Sequence, residues 1–193
     1  MSNDFSHKIP TNESHSIWKD CLDFKNEGFT TIIEIFDHIH EPRSKFGLWL
    51  LDAGKIDPEK ILFSDYILLV AHASMLSKHD ASRLIFDSSS NNSSTLKIND
   101  WEIYVETILS VENIHHQKEI AINAFDRFST KNVHGESVLY FEDFAKITKQ
   151  FPFLDVPFAR LLTNIRKYNL GETTWRQKRQ EIQKAYKLLS EQG

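Results

Sequence analysis

Ala81-Ser82-Arg83-Leu84-Ile85-Phe86-Asp87, the polar run from Ser88 to Leu96, and then Lys97-Ile98-Asn99-Asp100-Trp101-Glu102-Ile103 decide how this chain folds. Apolar residues at helical spacing end on an aspartate. A loop rich in Ser and Asn follows, with one isoleucine, Ile98, inside it. A glutamate, Glu102, comes four residues later, and an apolar helix resumes at once. The order of helix, acid-bounded polar loop, single apolar strand residue, closing carboxylate and second helix predicts a helix–loop–helix unit.

The same order recurs on either side. One unit enters through Phe46, Trp49, Leu50 and Leu51 to Asp52, has Ile61 in its loop and Asp65 as its closing acid, and leaves from Tyr66. A third enters through Ile120, Ala121, Ala124, Phe125 and Phe128, with Leu139, Asp143 and Phe144 following. A fourth enters through Phe158, Leu161, Leu162 and Ile165, loops through Asn169-Leu170-Gly171, and places Thr174 at the loop position. Aligned on Ile61, Ile98, Leu139 and Thr174, the steps are 37, 41 and 35 residues. Two helices of ordinary length around a 12-residue loop need about that much chain. The exiting helices agree: Tyr66, Leu69, Val70 and Ala73, and likewise Trp101, Tyr104, Val105 and Ile108, fall at i, i+3, i+4 and i+7 and make one apolar stripe each.

This arrangement resembles the EF-hand superfamily of calmodulin and calcineurin B-like proteins, over about Phe46 to Leu189. The resemblance implies an all-α fold of four EF-hand-like units in two pairs, residues 42–112 and 113–193, with Ile61 pairing with Ile98 and Leu139 with Thr174 as short strands. Ahead of them we expect a disordered tail over residues 1–13 and two extra helices within 14–41. The first carries Ile17, Trp18, Cys21 and Leu22. The second starts at Thr30 or Thr31, reaches His40 and is ended by Glu41-Pro42.

The resemblance raises calcium, and the loops argue against it. A calcium loop has 12 residues, a glycine at the sixth and a bidentate acid at the twelfth. Asp52 to Asp65 spans 14 residues with Pro58 inside, Asp87 to Glu102 spans 16, and Ser129 to Asp143 spans 15. The fourth loop would close on the cation of Lys178. The best metal candidate is the second loop, with Asp87, Ser89, Asn91 and Glu102, of which two are neutral donors.

Other chemistry finds little support. Among nine histidines, His38 and His40 are two apart and His115 and His116 adjacent, spacings that do not converge on a zinc ion from a helix. Cys21 sits on an apolar helical face, where a buried inert thiol is expected. No Gly-rich phosphate loop or dinucleotide fingerprint occurs. The net charge of −4 gives no case for general nucleic-acid affinity, and the longest apolar run, Tyr66 to Ala71, is too short for a bilayer span. A single cysteine and no recognisable leader suit a cytoplasmic setting. The last helix sets Ile182, Tyr186 and Leu189 on one face and basic residues such as Arg176, Arg179 and Lys184 elsewhere, read as a solvated face.

The expectation is therefore a non-catalytic module that holds an amphipathic helix of a protein partner in an apolar groove. Exiting-helix residues Leu69, Met75, Ile108 and Ile147 would line that groove. The alternative is a calcium-regulated sensor working through the non-consensus second loop, with calcium as the only cofactor in prospect.

Overall fold

The computed structural model describes residues 28–190, with the side chains of Gln183 and of residues 185–190 left aside. The tail over 1–13 and the helix expected through Trp18 and Cys21 fall outside the described residues. The chain described is mainly helical, with a few two- and three-residue strands. In order it runs β1 (Phe29–Thr30), α1 (Ile32–His38), α2 (Lys45–Gly54), β2 (Ile61–Leu62), α3 (Phe63–Met75) and α4 (Lys78–Ser89). Then come β3 (Leu96–Lys97), α5 (Ile98–Glu112), α6 (Lys118–Phe128), β4 (Thr130–Lys131), β5 (Ser137–Leu139), α7 (Phe141–Gln150), α8 (Val156–Tyr168) and α9 (Glu172–Ser190). No described helix is long and apolar enough to cross a membrane.

Local chemistry sets the helix starts. Thr31 caps α1: its Oγ1 accepts from the Glu34 amide, while Glu34 Oε2 accepts from the Thr31 amide at 2.7 Å and from Thr30 Oγ1 at 2.8 Å. Those bonds hold the Glu34 carboxyl below its ordinary value of 4.5, the Thr31 amide most of all. At α3 the Asp65 carboxylate accepts from the Leu62 amide at 3.2 Å. Ser77 caps α4, and Asp80 returns the favour to the Ser77 amide.

The strands join the helix–loop–helix segments in an order that corrects the expected one. Ile61 pairs with Thr30, not Ile98, in an antiparallel β1–β2 ladder. Leu139 pairs with Leu96, not Thr174, in a sheet ordered β3-β5-β4. Thr174 lies inside α9, and only a short turn through Leu170 and Gly171 separates α8 from α9. The cause of the slip is readable. Both Leu96 and Ile98 are apolar with an acid four residues on, Asp100 and Glu102. Only Leu96 is fully buried, and Ile98 already opens α5. A shift of two keeps the side chain on the same face of a strand, so periodicity cannot separate the two registers.

The chain divides into two compact units. One holds residues 28–41, Leu50–Leu76 and Leu162 onward; the other holds Pro42–Trp49 and Ser77–Leu161. The first has its core in Ile35, Phe36, Ile39, Ile61, Tyr66, Leu69, Val70, Ile165 and Trp175. A buried polar chain runs through it. Tyr66 Oη donates to Asn169 Oδ1 at 2.8 Å, Asn169 Nδ2 donates to the Ile165 carbonyl at 2.8 Å, and Trp175 Nε1 donates to the Asn169 carbonyl.

The second unit is built on aromatic rings. Phe144 lies 5.6 Å from Phe86, 5.5 Å from Tyr104 and 6.3 Å from Trp101, ring centre to ring centre. Trp101 Nε1 donates to the Ala121 carbonyl at 3.0 Å, and Tyr104 Oη to the Leu154 carbonyl. Each buried ring of this size contributes about 1.5–3 kcal/mol by leaving water, plus a smaller increment for its ring partners.

Candidate functional site

Helix α5 positions a surface groove of the second unit. Its stripe Trp101, Tyr104, Val105, Ile108 and Leu109 is buried. Its other face carries Asn99, Glu102, Ile103, Glu106, Ser110 and Val111, and with Arg43, Ser44 and Lys45 at the start of α2 it lines a groove of about 660 Å³. Ile103 is 52 % exposed, an apolar side chain turned out of the helix's own core stripe. Glu106 forms an ion pair with Lys118, whose hydrogen bond holds the Glu106 carboxyl below the ordinary carboxylate value.

A smaller cavity of about 180 Å³ adjoins it and shares Lys45 and Ile103 as walls. Ser88, Ser89, Asn91 and Asp100 supply its polar side, and Trp49 and Tyr104 its aromatic side, with the two rings stacked at 6.5 Å. Ser89 Oγ is buried without a hydrogen-bond partner.

The four residues predicted as metal donors do not share one site. Asp87 is held by Arg83, whose Nε lies 3.0 Å from Oδ1 and 3.1 Å from Oδ2. Its carbonyl accepts from the Asn92 amide, closing α4 as Asn91 and Asn92 turn through left-handed backbone. Ser89 and Asn91 line the smaller cavity, while Glu102 faces the larger groove. The acid that falls in the Ser89–Asn91 cavity is Asp100. One carboxylate beside the Lys45 ammonium is a poor donor set for calcium, which needs several negative oxygens. Among the described residues no three His, Cys, Asp or Glu side chains gather where they could hold a metal ion. His38 and His40 instead meet the ring of Tyr168 edge-on.

The residues expected to line a partner groove are placed differently too. Leu69, Ile108 and Ile147 are core side chains, at most 4 % exposed, and Met75 is half-buried. The stripes to which they belong pack inside their own units, Leu69 in the first and Ile108 and Ile147 in the second. The open groove lies on the opposite face of α5. Its signal in the sequence was Ile103, an apolar residue that breaks the i, i+3, i+4 pattern and stands between Glu102 and Glu106.

The fold also buries an acid with no sequence signal. Asp155, after α7, keeps only 13 % of its side chain exposed, and burial pushes its carboxyl above the ordinary value against the pull of Lys78 at 3.7 Å.

No protein-family model matches the chain, and no curated protein matches it.

Proposed function

We propose that this chain is a non-catalytic, EF-hand-like interaction module that holds an amphipathic helix of a protein partner. The observation that carries the reading is a repeated spacing. Thr30, Ile61, Leu96 and Leu139 are the residues at which strands meet in the pairs Thr30–Ile61 and Leu96–Leu139. Four residues beyond each stands an acid in the first turn of the next helix: Glu34, Asp65, Asp100 and Asp143. Paired strands followed by an acid at that distance are the framework of paired EF-hands. On this reading the hands pair one step earlier than residues 42–112 and 113–193 imply, around Thr30–Ile61 and Leu96–Leu139, and α8 and α9 are the added helices.

The loops support linkage rather than ion capture. Glu34 and Asp65 already accept backbone amides. The last loop folds as a β4–β5 hairpin whose turn is tied by Asn132, its Oδ1 accepting from the His134 and Glu136 amides. The single cysteine suits a cytoplasmic setting. What the loops leave for recognition is surface, and the α5 groove is one open part of it.

Panning a library of helical peptides against the full chain tests the reading. Enrichment of amphipathic sequences that bind at micromolar concentration is the expected result. A library that yields no helical binder sinks it.

The calcium-sensor alternative has one observation in its favour, the unpartnered Ser89 Oγ beside Asn91 and Asp100. A calorimetric titration to millimolar calcium decides it. Heat that vanishes in Asp100→Asn would establish the sensor; a flat trace removes it.

A further inference from the structure

We infer that the outer face of α5 is where the partner sits, and that its occupant is a charge-segregated amphipathic helix with a basic flank and an acidic flank. The inference rests on the helix-binding reading above and adds the location and polarity of the site. It starts from helix arithmetic. At about 100° per residue, Ile103, Asn99 and Ser110 form the middle of the outer face of α5. Glu102 and Glu106 form one edge, while Thr107 and Val111 form the other. Lys45 borders the smaller cavity together with Asp100 and Tyr104, and these belong to the Thr107–Val111 side of α5. Lys45 and the acidic edge of Glu102 and Glu106, where Glu106 is paired with Lys118, therefore lie on opposite sides of Ile103, along one groove of about 660 Å³.

That arrangement selects its occupant. The α5 wall is a helix whose backbone groups are satisfied internally, so an extended strand would find no ladder to join. A helix brings its own hydrogen bonds and can seat side chains between the ridges of α5. An apolar stripe would cover Ile103 and Val111, a basic flank would face Glu102 and compete with Lys118 for Glu106, and an acidic flank would face Lys45. A second copy of this chain docked α5 against α5 would face the same acids with each other, unless it ran antiparallel and out of step. The outer face from Asn99 to Val111 runs about 18 Å, or three turns, enough for three or four anchor residues.

The test uses three 18-residue helical peptides with one leucine stripe. One has lysine on one flank and glutamate on the other, one has lysine on both, and one has glutamate on both. Binding to the full chain is measured at low salt, where exposed charges are least screened. The segregated peptide should bind at least tenfold tighter than either uniform one. Ile103→Lys should weaken it at least tenfold, and because Ile103 is already half exposed the variant should melt with the parent. Glu102→Lys with Glu106→Lys should turn the preference to the peptide with glutamate on both flanks. Equal affinity for all three peptides, or indifference to Ile103→Lys, overturns the inference. If library-selected helices bind but ignore Ile103→Lys, the location fails while the interaction reading stands. If no helix binds, both fail.

Discussion

Tyr66 and Asn169 meet in the buried core of the first unit, Tyr66 Oη donating to Asn169 Oδ1 at 2.8 Å across 103 residues of sequence. Asn169 is 1 % exposed, and every polar atom of its side chain is engaged: the oxygen by Tyr66, the nitrogen by the Ile165 carbonyl. Its own carbonyl takes the Trp175 indole N–H. One residue thus ties α3, the end of α8 and the start of α9. Within a low-dielectric core such a network is strong while complete and costly once a member is missing.

Asn169→Ala should therefore destabilise more than its size suggests. It takes the Asn169 acceptor from the Tyr66 hydroxyl and removes one further side-chain bond, to the Ile165 carbonyl, while the Trp175 bond to the backbone carbonyl survives; a buried polar group that loses its partner costs about 1–3 kcal/mol. Tyr66→Phe removes the hydroxyl as well as the bond, so the double variant should be less unstable than the two single losses added together. Chemical denaturation of the four proteins checks this; strict additivity would mean the bond contributes nothing.

The strand register gives a second prediction. Leu96 is fully buried opposite Leu139, whereas Ile98 is half-buried at the start of α5. Leu96→Ala should cost about 2–5 kcal/mol, as core truncations do, and Ile98→Ala distinctly less. Equal losses, or a larger loss at Ile98, would restore the register expected from the sequence.

The helices were legible because their cause is local. Stripes such as Trp101, Tyr104, Val105 and Ile108 repeat at helical period, and each is buried. The first strand was hidden because Thr30 is polar. A search keyed on apolar strand residues passes over it, although Glu34 stands four residues on and Gly28 before it turns through φ +77°. The false fourth loop had the opposite cause. Asn169-Leu170-Gly171 reads as a loop, and the chain uses it as a tight turn between helices. The candidate groove was missed because burial of Ile108 and Ile147 is decided by neighbours distant in sequence, which no stripe reports. Ile103 alone carried a local sign.

Two carboxyls should give stability opposite dependences on pH. Burial raises Asp155 above its ordinary 3.8, so the folded state favours its protonated form. Its contribution is full below 3.8 and is lost as pH climbs through the raised value. Asp155→Asn should abolish that loss and melt higher than the parent above it. Glu34 is lowered from 4.5, so its contribution is present above 4.5 and fades as pH falls through the depressed value. Glu34→Gln should weaken the protein near neutrality and flatten its acid limb. Melting curves at stepped pH, in which Asp155→Asn tracked the parent throughout, would refute the Asp155 account.

The turn that replaces the expected fourth loop can be tested at Gly171. The residue has φ +83°, follows Leu170 at φ +71°, and its amide donates to the Arg166 carbonyl at 3.0 Å to close α8. A Cβ built at Gly171 meets nothing within 4 Å. A methyl group there would create no clash with a neighbour, so any loss in Gly171→Ala measures the backbone conformation alone. Left-handed backbone disfavours alanine relative to glycine by about 1 kcal/mol, and asparagine by less, since its side chain tolerates that region. We expect Gly171→Ala to fall by that amount and Gly171→Asn by roughly half of it, both with unchanged denaturant slopes. A flexible loop in the same place would accept alanine without loss, because a residue free to leave φ +83° pays no strain. Alanine melting with the parent would thus return the segment to a loop and reopen the case for a fourth loop closing beyond Thr174.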